Sequence, residues 1–335
     1  MPSFALAGKL TREYLLPPNG SPRLDSPGGD LLYAAGGLAV WDSSLALISK
    51  VDKNYPREWI NELETRGFDA RGIYRDDDLA ETDMRDFIAY TETNERSRSN
   101  PVSHFARREM PFPKSLLGYQ PRDESSNPLR ERDPLSPDAL RVPKSYRDLR
   151  YAHLCPFDFT SQSRMSSLFR GGSGQTISLD PHPSYMKPEF LRNLRALLLG
   201  IKIFLPSEEE LRALFWGETN DLWEMAQKAA EFGPEIVAIK RGRQGQRLYD
   251  ATGKKRYEIP AYPVRLMDPT GAGSAFCGGF LAGYARANDP LLAALHGNIS
   301  ASLKIEGTGP FSTLDALAGL ADARLQSLKE MARAV

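Results

Sequence analysis

The sequence predicts a single α/β domain with a doubly wound, mostly parallel central sheet, helices on both faces and a small β lid. Short apolar runs alternate with segments of helical periodicity, which is typical of parallel strands joined by crossover helices. A chain of 335 residues is long enough for one large domain of this class. Apolar residues make up 41% of it, so a sizeable core can form.

The apolar runs that are short enough to be buried strands span residues 45–51, 150–155, 175–180, 201–205 and 236–240. Helical periodicity spans residues 56–66, 189–199, 208–216, 221–232, 274–286, 290–304 and 314–331. Two of these helices end at clear stop signals, Gly67 and the pair Gly233-Pro234. The alternation of strands and helices along the chain is the basis for the predicted fold class.

Residues 74–148 depart from this rhythm because they are rich in charge and proline. The alternation of Phe87, Ala89 and Thr91 predicts a short strand, and we expect residues 10–30 and 74–115 to form a small β lid over the cleft. For residues 85–115 a solvated loop is the alternative. Residues 116–148 are interpreted as a charged, proline-rich insertion, with 121–134 as a solvated loop, because so polar a segment buries little surface.

Charge and hydropathy exclude several classes of protein. Lys plus Arg and Asp plus Glu are equal at 43 each, so no basic surface for nucleic acid or an anionic membrane is expected. The first sixteen residues carry charges where a secretion signal needs an apolar core, and the longest apolar stretch, 194–205, is too short to span a bilayer. The two cysteines, Cys155 and Cys277, cannot make a disulfide framework or a zinc site alone. We therefore expect a cytoplasmic protein.

Residues 268–280, Asp-Pro-Thr-Gly-Ala-Gly-Ser-Ala-Phe-Cys-Gly-Gly-Phe, carry the strongest functional signal. Gly271, Ala272 and Gly273 leave backbone N–H groups open to a ligand, and the small apolar residues after them are typical of a buried helix. A glycine-rich turn that opens a helix is an anion site, because unpaired N–H groups and the helix dipole both point at the incoming charge. A tight turn before a core helix is the alternative interpretation.

This run resembles the C-terminal signature of the ribokinase-like (PfkB) sugar and nucleoside kinases. Weaker matches stand in the family's order along nearly the whole chain. Residues 8–13 resemble the opening strand, 27–40 the sugar-binding Gly-Gly turn and its helix, 205–210 the Asn-x-x-Glu motif, and 237–245 the strand and turn that border the nucleotide.

The resemblance implies an ATP-dependent kinase that acts on a hydroxyl of a sugar, a nucleoside or a related small molecule. Its implied cofactors are ATP and Mg²⁺, with a monovalent cation such as K⁺ as a further candidate. The implied partner is a small molecule with an acceptor hydroxyl, without nucleic acid or membrane. A homodimer through the lid is a further expectation.

The resemblance also implies a role for each residue that stands at a functional position of the family. Phosphoryl transfer requires mainly alignment of the reactants and stabilisation of charge. The catalytic turn would be Gly271, Ala272, Gly273 and Ser274; the acceptor pocket Glu13, Gly28, Gly29, Asp30 and Tyr33; the nucleotide side Lys240, Gly242, Gly245 and Asn298; and the metal sites Glu210, Asp268 and Thr270. Magnesium prefers carboxylate oxygens together with retained waters. For Glu210 a second interpretation stays open, because acidic residues after Ser207 also cap a helix.

Three residues depart from the family pattern. Ser274 stands where the family has the Asp that removes the acceptor's proton, Tyr33 replaces an Asn after the Gly-Gly turn, and Ser207 replaces the Asn of Asn-x-x-Glu. A hydroxyl is a poor base near neutral pH, and losing a general base costs roughly 10²–10⁴-fold in rate. We therefore expect an impaired kinase. A non-catalytic nucleotide- or ligand-binding sensor or scaffold is the alternative, and a kinase that uses another base such as Asp30 is a third possibility.

The other motifs of the sequence give weaker evidence of function. His153 and Cys155 share a strand face, but a buried structural pair is the favoured interpretation over a catalytic one. Residues 171–176 are glycine-rich but lack the Lys and the spacing of a phosphate loop, so they are interpreted as a turn between a helix and a strand. No Gly-x-Gly-x-x-Gly follows the first strand, so a dinucleotide enzyme is unsupported.

Overall fold

A computed structural model describes residues 2–79, 82–122, 132–172 and 175–335. The strands are β1 Phe4–Ala7, β2 Thr11–Leu16, β3 Arg23–Gly28, β4 Leu45–Val51, β5 Asp69–Arg75, β6 Arg85–Tyr90, β7 Arg96–Ser97, β8 Tyr151–Leu154, β9 Thr176–Leu179, β10 Ile203–Phe204, β11 Ile236–Lys240, β12 Gln246–Asp250, β13 Lys255–Ile259 and β14 Arg333–Ala334. The helices are α1 Asp30–Ala39, α2 Arg57–Thr65, α3 Pro101–Arg107, α4 Phe159–Arg170, α5 Leu191–Leu198, α6 Glu208–Leu214, α7 Leu222–Ala230, α8 Ala272–Ala287, α9 Pro290–Ile305 and α10 Leu320–Lys329.

Among the described residues the large sheet has ten strands, in the order β14-β13-β12-β11-β10-β9-β8-β1-β4-β5. Neighbours from β11 to β5 are parallel, and β12, β13 and β14 add an antiparallel edge. The chain winds outward in both directions from β1 and β8, so the predicted doubly wound, mostly parallel sheet is confirmed. Ligands of such sheets bind outside the carboxyl ends of the strands at this switch point.

Alternate residues of β1 serve two separate cores, because side chains of a strand point to opposite faces. Phe4 and Leu6 pack on the side of α1, α8 and α9, whereas Ala5 and Ala7 pack on the side of α4 to α7. Helices therefore cover both faces of the sheet, as the sequence predicts. Within the described residues, no helix is both long enough and apolar enough to cross a membrane.

Most predicted elements are present with shifted ends. The predicted strands at 45–51 and 236–240 agree with β4 and β11. The predicted helix 314–331 is wrong in its first turns, because Gly319 has a φ of 80° and α10 begins only after it. The opening strand is also not at 8–13: it is β1, which ends before Gly8, where a Cβ would lie 2.9 Å from that of Cys155.

A second sheet, β3-β2-β6-β7, contains the predicted short strand and lies within the stretches expected to form the lid. One of its faces is already covered by the chain itself: Tyr14 and Phe87 of the sheet pack against Phe105, Leu116 and Tyr119. The other face carries Leu15, Ile88 and Tyr90. The Tyr90 hydroxyl reaches Thr270 Oγ1 at 2.9 Å, so this face is directed toward the predicted catalytic turn.

The predicted insertion, 116–148, is only partly a polar surface segment. Residues 123–131, most of the predicted solvated loop, lie outside the described residues, as do 173–174 of the glycine-rich turn. After them, Leu135, Val142 and Tyr146 are buried in the two cores. Asp133 forms an ion pair with Lys9 at 2.8 Å. The expectation that the segment buries little surface is therefore wrong for its second half, because apolar residues between the charged ones anchor it.

Candidate active site

The predicted catalytic turn opens α8, a helix of sixteen residues. Gly271 is its N-cap, in the left-handed region at a φ of 73°, and no side chain caps the helix. A Cβ on Gly271 would overlap the ring of Tyr33, so both backbone conformation and space require glycine. The helix therefore presents its N-terminal N–H groups without an internal acceptor from a side chain.

The turn faces a cleft of about 630 Å³, and Ala272 and Gly273 line it. The Ala272 amide is not free, because it donates to Pro269 O at 3.2 Å. In the described chain the amides of Gly271, Gly273 and Ser274 have no backbone acceptor. The predicted set of free amides is thus wrong at Ala272, which closes the turn itself, and Ser274 takes its place.

Ser274 lies beside a carboxylate supplied by another element. Its Oγ donates to Asp30 Oδ1 at 3.0 Å, and Asp30 is the first residue of α1. Ser274 is buried, whereas Asp30 is partly exposed. The carboxylate missing at position 274 is therefore present within one hydrogen bond of it.

The Gly-Gly turn before α1 has its Gly29 amide bound by a side chain of the protein itself. Glu13 Oε1 accepts the Gly29 amide at 3.0 Å, and Glu13 Oε2 accepts the Tyr33 hydroxyl at 2.8 Å. A Cβ on Gly28 would overlap the Glu13 side chain, which is fully enclosed. Burial raises the pKa of Glu13 to about 7. The structure therefore brings Glu13, Gly29 and Tyr33 together, with the Glu13 carboxylate bound inside the turn, and their role in an acceptor pocket stays a prediction.

A buried ion pair, Lys240 with Asp180, lies next to Gly273 of the catalytic turn. Lys240 Nζ, at the end of β11, bonds Asp180 Oδ1 at 2.5 Å, and Cys277 Sγ donates to Asp180 Oδ2 at 3.4 Å. Burial alone would lower the pKa of Lys240, but the Asp180 carboxylate raises it overall. A Cβ on Gly273 would lie 3.9 Å from Lys240 Nζ, so the fixed positive charge is next to the free amides. Asp180, which directly follows β9 at the carboxyl edge, was not among the predicted site residues.

Glu210 fulfils the capping interpretation. Its Oε2 accepts the Ser207 amide at 2.7 Å, and its own amide donates to Ser207 Oγ at 3.2 Å, a complete capping box. Burial raises its pKa to about 7. Its Oε1 has no hydrogen bond within the described residues, and these residues contain no cluster of three or more metal ligands. Glu210 therefore fits a Mg²⁺ ion that keeps its waters and is also held by phosphates.

Asp268 and Thr270 do not fit a free monovalent cation. Asp268 Oδ2 accepts Lys304 Nζ at 3.0 Å, and both side chains are 0% exposed. Asp268 Oδ1 accepts the Thr270 amide at 2.9 Å, and Thr270 Oγ1 is engaged by Tyr90. The position expected for the ion is taken by the ammonium of Lys304. The sequence signal for this ammonium is a single lysine in the last turn of α9.

The predicted nucleotide residues all line the cleft, but they differ in what they offer. Gly242 has open space around it, whereas a Cβ on Gly245 would overlap Ile259 O. Asn298 is buried and fully engaged: its Nδ2 donates to Pro260 O at 2.8 Å and to Gln246 Oε1 at 3.0 Å. Its Oδ1 accepts the Tyr262 amide. Both N–H donors of the Asn298 amide are therefore used inside the cleft wall, and its role toward a nucleotide base stays a prediction.

The His153 and Cys155 side chains are structural. His153 is buried, its Nδ1 bonds Ser178 Oγ on the neighbouring strand at 2.9 Å, and burial lowers its pKa to about 3. Cys155 is buried against Gly8. Neither side chain lines the cleft.

Residues 172–317, which contain the catalytic turn, the Lys240–Asp180 ion pair and most of the cleft lining, match the profile of the pfkB family carbohydrate kinases. This part of the chain is therefore similar to the PfkB kinases. A cytidine kinase of Thermococcus kodakarensis is 25% identical over 289 residues, which cover 85% of this chain and 90% of that protein. A ribokinase of Staphylococcus aureus is 31% identical over 148 residues, which cover 43% of this chain and 46% of the relative.

Solved structures of a nucleoside kinase and a ribokinase have a fold similar to that of this chain. A nucleoside kinase of Burkholderia thailandensis, in complex with inosine, superposes with a TM-score of 0.68 at 17% identity, covering 97% of this chain and 96% of that chain. A ribokinase of Thermotoga maritima superposes with a TM-score of 0.66 at 16% identity, covering 97% and 100%. The fold is therefore ribokinase-like.

Proposed function

We propose that this protein is an ATP-dependent kinase that phosphorylates a hydroxyl of a sugar, a nucleoside or a related small molecule in the cytoplasm, with Mg²⁺ as cofactor. One observation carries the proposal: the turn that opens α8 lines a large cleft with Ala272 and Gly273, and its Ser274 hydroxyl holds the Asp30 carboxylate. Phosphates fit the cleft beside the turn, and an acceptor hydroxyl fits beside Asp30. A structural relative from E. coli, provisionally described as ribokinase II, was crystallised with ATP and Mg²⁺.

The residues divide the reaction between them. The amides of Gly273 and Ser274 and the ammonium of Lys240 would bind the phosphates and stabilise the negative charge that spreads over the transferring group. Glu210 would hold Mg²⁺, which supplies further neutralisation of phosphate charge. No side chain needs to bond covalently to phosphorus, so alignment is the main task of this turn.

Proton removal is assigned to Asp30. As the acceptor oxygen bonds to the γ-phosphorus and the bond to the ADP oxygen breaks, the hydroxyl proton passes to the Asp30 carboxylate. Ser274 orients Asp30 through the hydrogen bond of 3.0 Å, and its hydroxyl need not act as a base. The proton then leaves to solvent, because Asp30 is partly exposed.

The second candidate is a protein that binds nucleotide but does not turn over, and the presence of Ser274 favours it. The relatives suggest cytidine, inosine, ribose and fructose as the first acceptors to test. ADP release measured with each acceptor, beside ATP affinity by calorimetry, separates the candidates. Turnover that requires an acceptor supports the kinase. ATP binding without turnover for any of a broad panel supports the second candidate, and absence of ATP binding rejects both.

The role of Asp30 has its own test. Asp30→Asn should lower kcat by roughly 10²–10⁴-fold with little change in ATP affinity, because only the base is lost. The double variant Asp30→Asn/Ser274→Asp moves the carboxylate across the hydrogen bond and should recover a large part of that loss. Asp315→Asn, a change at an exposed position, is the matched control. Full activity of Asp30→Asn would remove Asp30 from the mechanism.

A further inference from the structure

A buried ammonium lies directly beneath the catalytic turn. Lys304 Nζ donates to Asp268 Oδ2 at 3.0 Å, to Gly307 O at 2.9 Å and to Asp268 O at 3.3 Å. Three acceptors match the three N–H donors of an ammonium group, so the lysine is held in its charged form. Burial lowers the pKa of Lys304, and the Asp268 carboxylate opposes that shift.

The acceptors around Lys304 form a cation site. One carboxylate and two backbone carbonyls supply hard oxygen atoms and a single negative charge, which is balanced by the single charge of Lys304. A free cation added here would bring two positive charges within contact distance in a site without water access, where repulsion is strong. The lysine therefore fills the site both in space and in charge.

The site controls the geometry of the turn. The amides of Met267 and Asp268 both donate to Ile305 O at 3.0 Å, which fastens the segment before the turn to the end of α9. Asp268 then accepts the Thr270 amide, one residue before Gly271, and Thr270 contacts Tyr90 of the small sheet. Removal of the ammonium would leave a buried, unpaired carboxylate at the base of the turn.

We propose that Lys304 is a built-in monovalent cation, which holds the phosphate-binding turn in place and makes the protein independent of free K⁺ and Na⁺. The identity of the phosphate ligand rests on the proposed function, whereas the independence from free cations does not.

The first test needs no variant and no enzyme activity. Thermal unfolding of the wild-type chain is measured in KCl, NaCl and choline chloride at equal ionic strength. A bound cation stabilises the native state in proportion to ln(1 + [L]/Kd), so a free site would raise Tm in one salt over the others. We expect the same Tm in all three. A saturable rise in KCl or NaCl over choline would overturn the proposal.

The second test opens the site. Lys304→Ala should lower Tm in choline chloride and regain stability in KCl or NH₄Cl. At a cation concentration of a hundred times Kd the rise would be about 4 °C. Lys228→Ala, which removes a partly exposed lysine, should show no such difference between salts. An equal response of Lys304→Ala to every salt would show that the oxygens do not form a cation site and would contradict the proposal. If the variant does not fold, the wild-type salt series still decides.

The third test links the site to the turn. Calorimetry should give the wild-type chain the same affinity for Mg²⁺–ADP in KCl and in choline chloride, whereas Lys304→Ala should bind weakly in choline and more tightly in KCl. A K⁺-dependent affinity of the wild-type chain would count against the proposal. If no variant binds ADP in any salt, the proposed function fails, and the two Tm experiments still test Lys304.

Discussion

Two glycine-rich turns open helices in this molecule, and they differ in what fills them. Gly29 before α1 and Gly271 before α8 both have positive φ, at 102° and 73°. The amide of Gly29 is bound to Glu13, whereas within the described residues the amides of Gly273 and Ser274 have no backbone acceptor, and Gly273 lines the cleft. Their ψ angles differ, at 152° and 4°, and so do their roles, because the first turn is an internal clamp and the second is an open anion site. Distant residues determine which role each turn takes.

The largest expected effect concerns the charge beside the open turn. Lys240→Met leaves the buried Asp180 carboxylate without its partner and should lower the free energy of unfolding by about 3–5 kcal/mol, measured by urea denaturation. It should also weaken ATP binding. Adding Asp180→Asn should restore much of the stability but not the affinity, because the charge that faces the phosphates is still missing.

Lys202→Met is the control for that variant. Lys202 pairs with Glu235 near the surface at 3.3 Å, and such pairs contribute about 1 kcal/mol or less. Equal losses of stability in the two lysine variants would show that the buried Lys240–Asp180 pair contributes no more than the surface pair.

A smaller effect is expected at the filled turn. The pKa of Glu13 is about 7 in the folded protein, whereas that of a solvated glutamate side chain is 4.5, so the folded state retains a proton that the unfolded chain releases between these values. Stability contributed by that proton is present at low pH and is lost as pH rises through 7. Between pH 4.5 and 7 this effect lowers the free energy of unfolding of the wild-type chain by up to about 3 kcal/mol. Glu13→Gln should abolish this decrease.

The measurement is the free energy of unfolding of both chains across that pH range. Glu210, also with a raised pKa, contributes the same slope to both chains and cancels in the difference. Glu58→Gln at an exposed position should follow the wild-type curve. If Glu13→Gln also follows the wild-type curve, Glu13 does not hold the Gly29 turn as a buried carboxyl group with a raised pKa.

The smallest effect on stability separates the two turns directly. Gly273→Ala meets only the Lys240 side chain at 3.8 Å, so the free energy of unfolding should change by less than about 1 kcal/mol. ADP affinity should fall about tenfold, as one hydrogen bond to a charged group is weakened. Gly29→Ala, by contrast, overlaps Lys9 O and should destabilise the fold strongly. Similar stability of the two variants would contradict the distinction between the turns.

The sequence was sufficient where the signal is local. The glycine spacing of 271–273 predicts the α8 turn, and apolar runs predict most strands of the large sheet, because backbone conformation and alternation depend on neighbouring residues. The acidic residue after Ser207 predicts the capping box for the same reason.

It was insufficient where partners are far apart along the chain. Ser274 and Asp30 are separated by 244 residues, Lys240 and Asp180 by 60, and Lys304 and Asp268 by 36. No periodicity relates such pairs, so neither the replacement carboxylate nor the internal ammonium could be found from spacing. The homodimer through the lid stays a prediction.

A crystal structure with Mg²⁺–ADP tests the central claim most directly, because that claim concerns where phosphate oxygens bind. Phosphate oxygens should lie within hydrogen-bond distance of the Gly273 and Ser274 amides, with Lys240 beside them and Lys304 still bound to Asp268. ADP bound in the cleft with its phosphates away from the N-terminus of α8 would contradict the account.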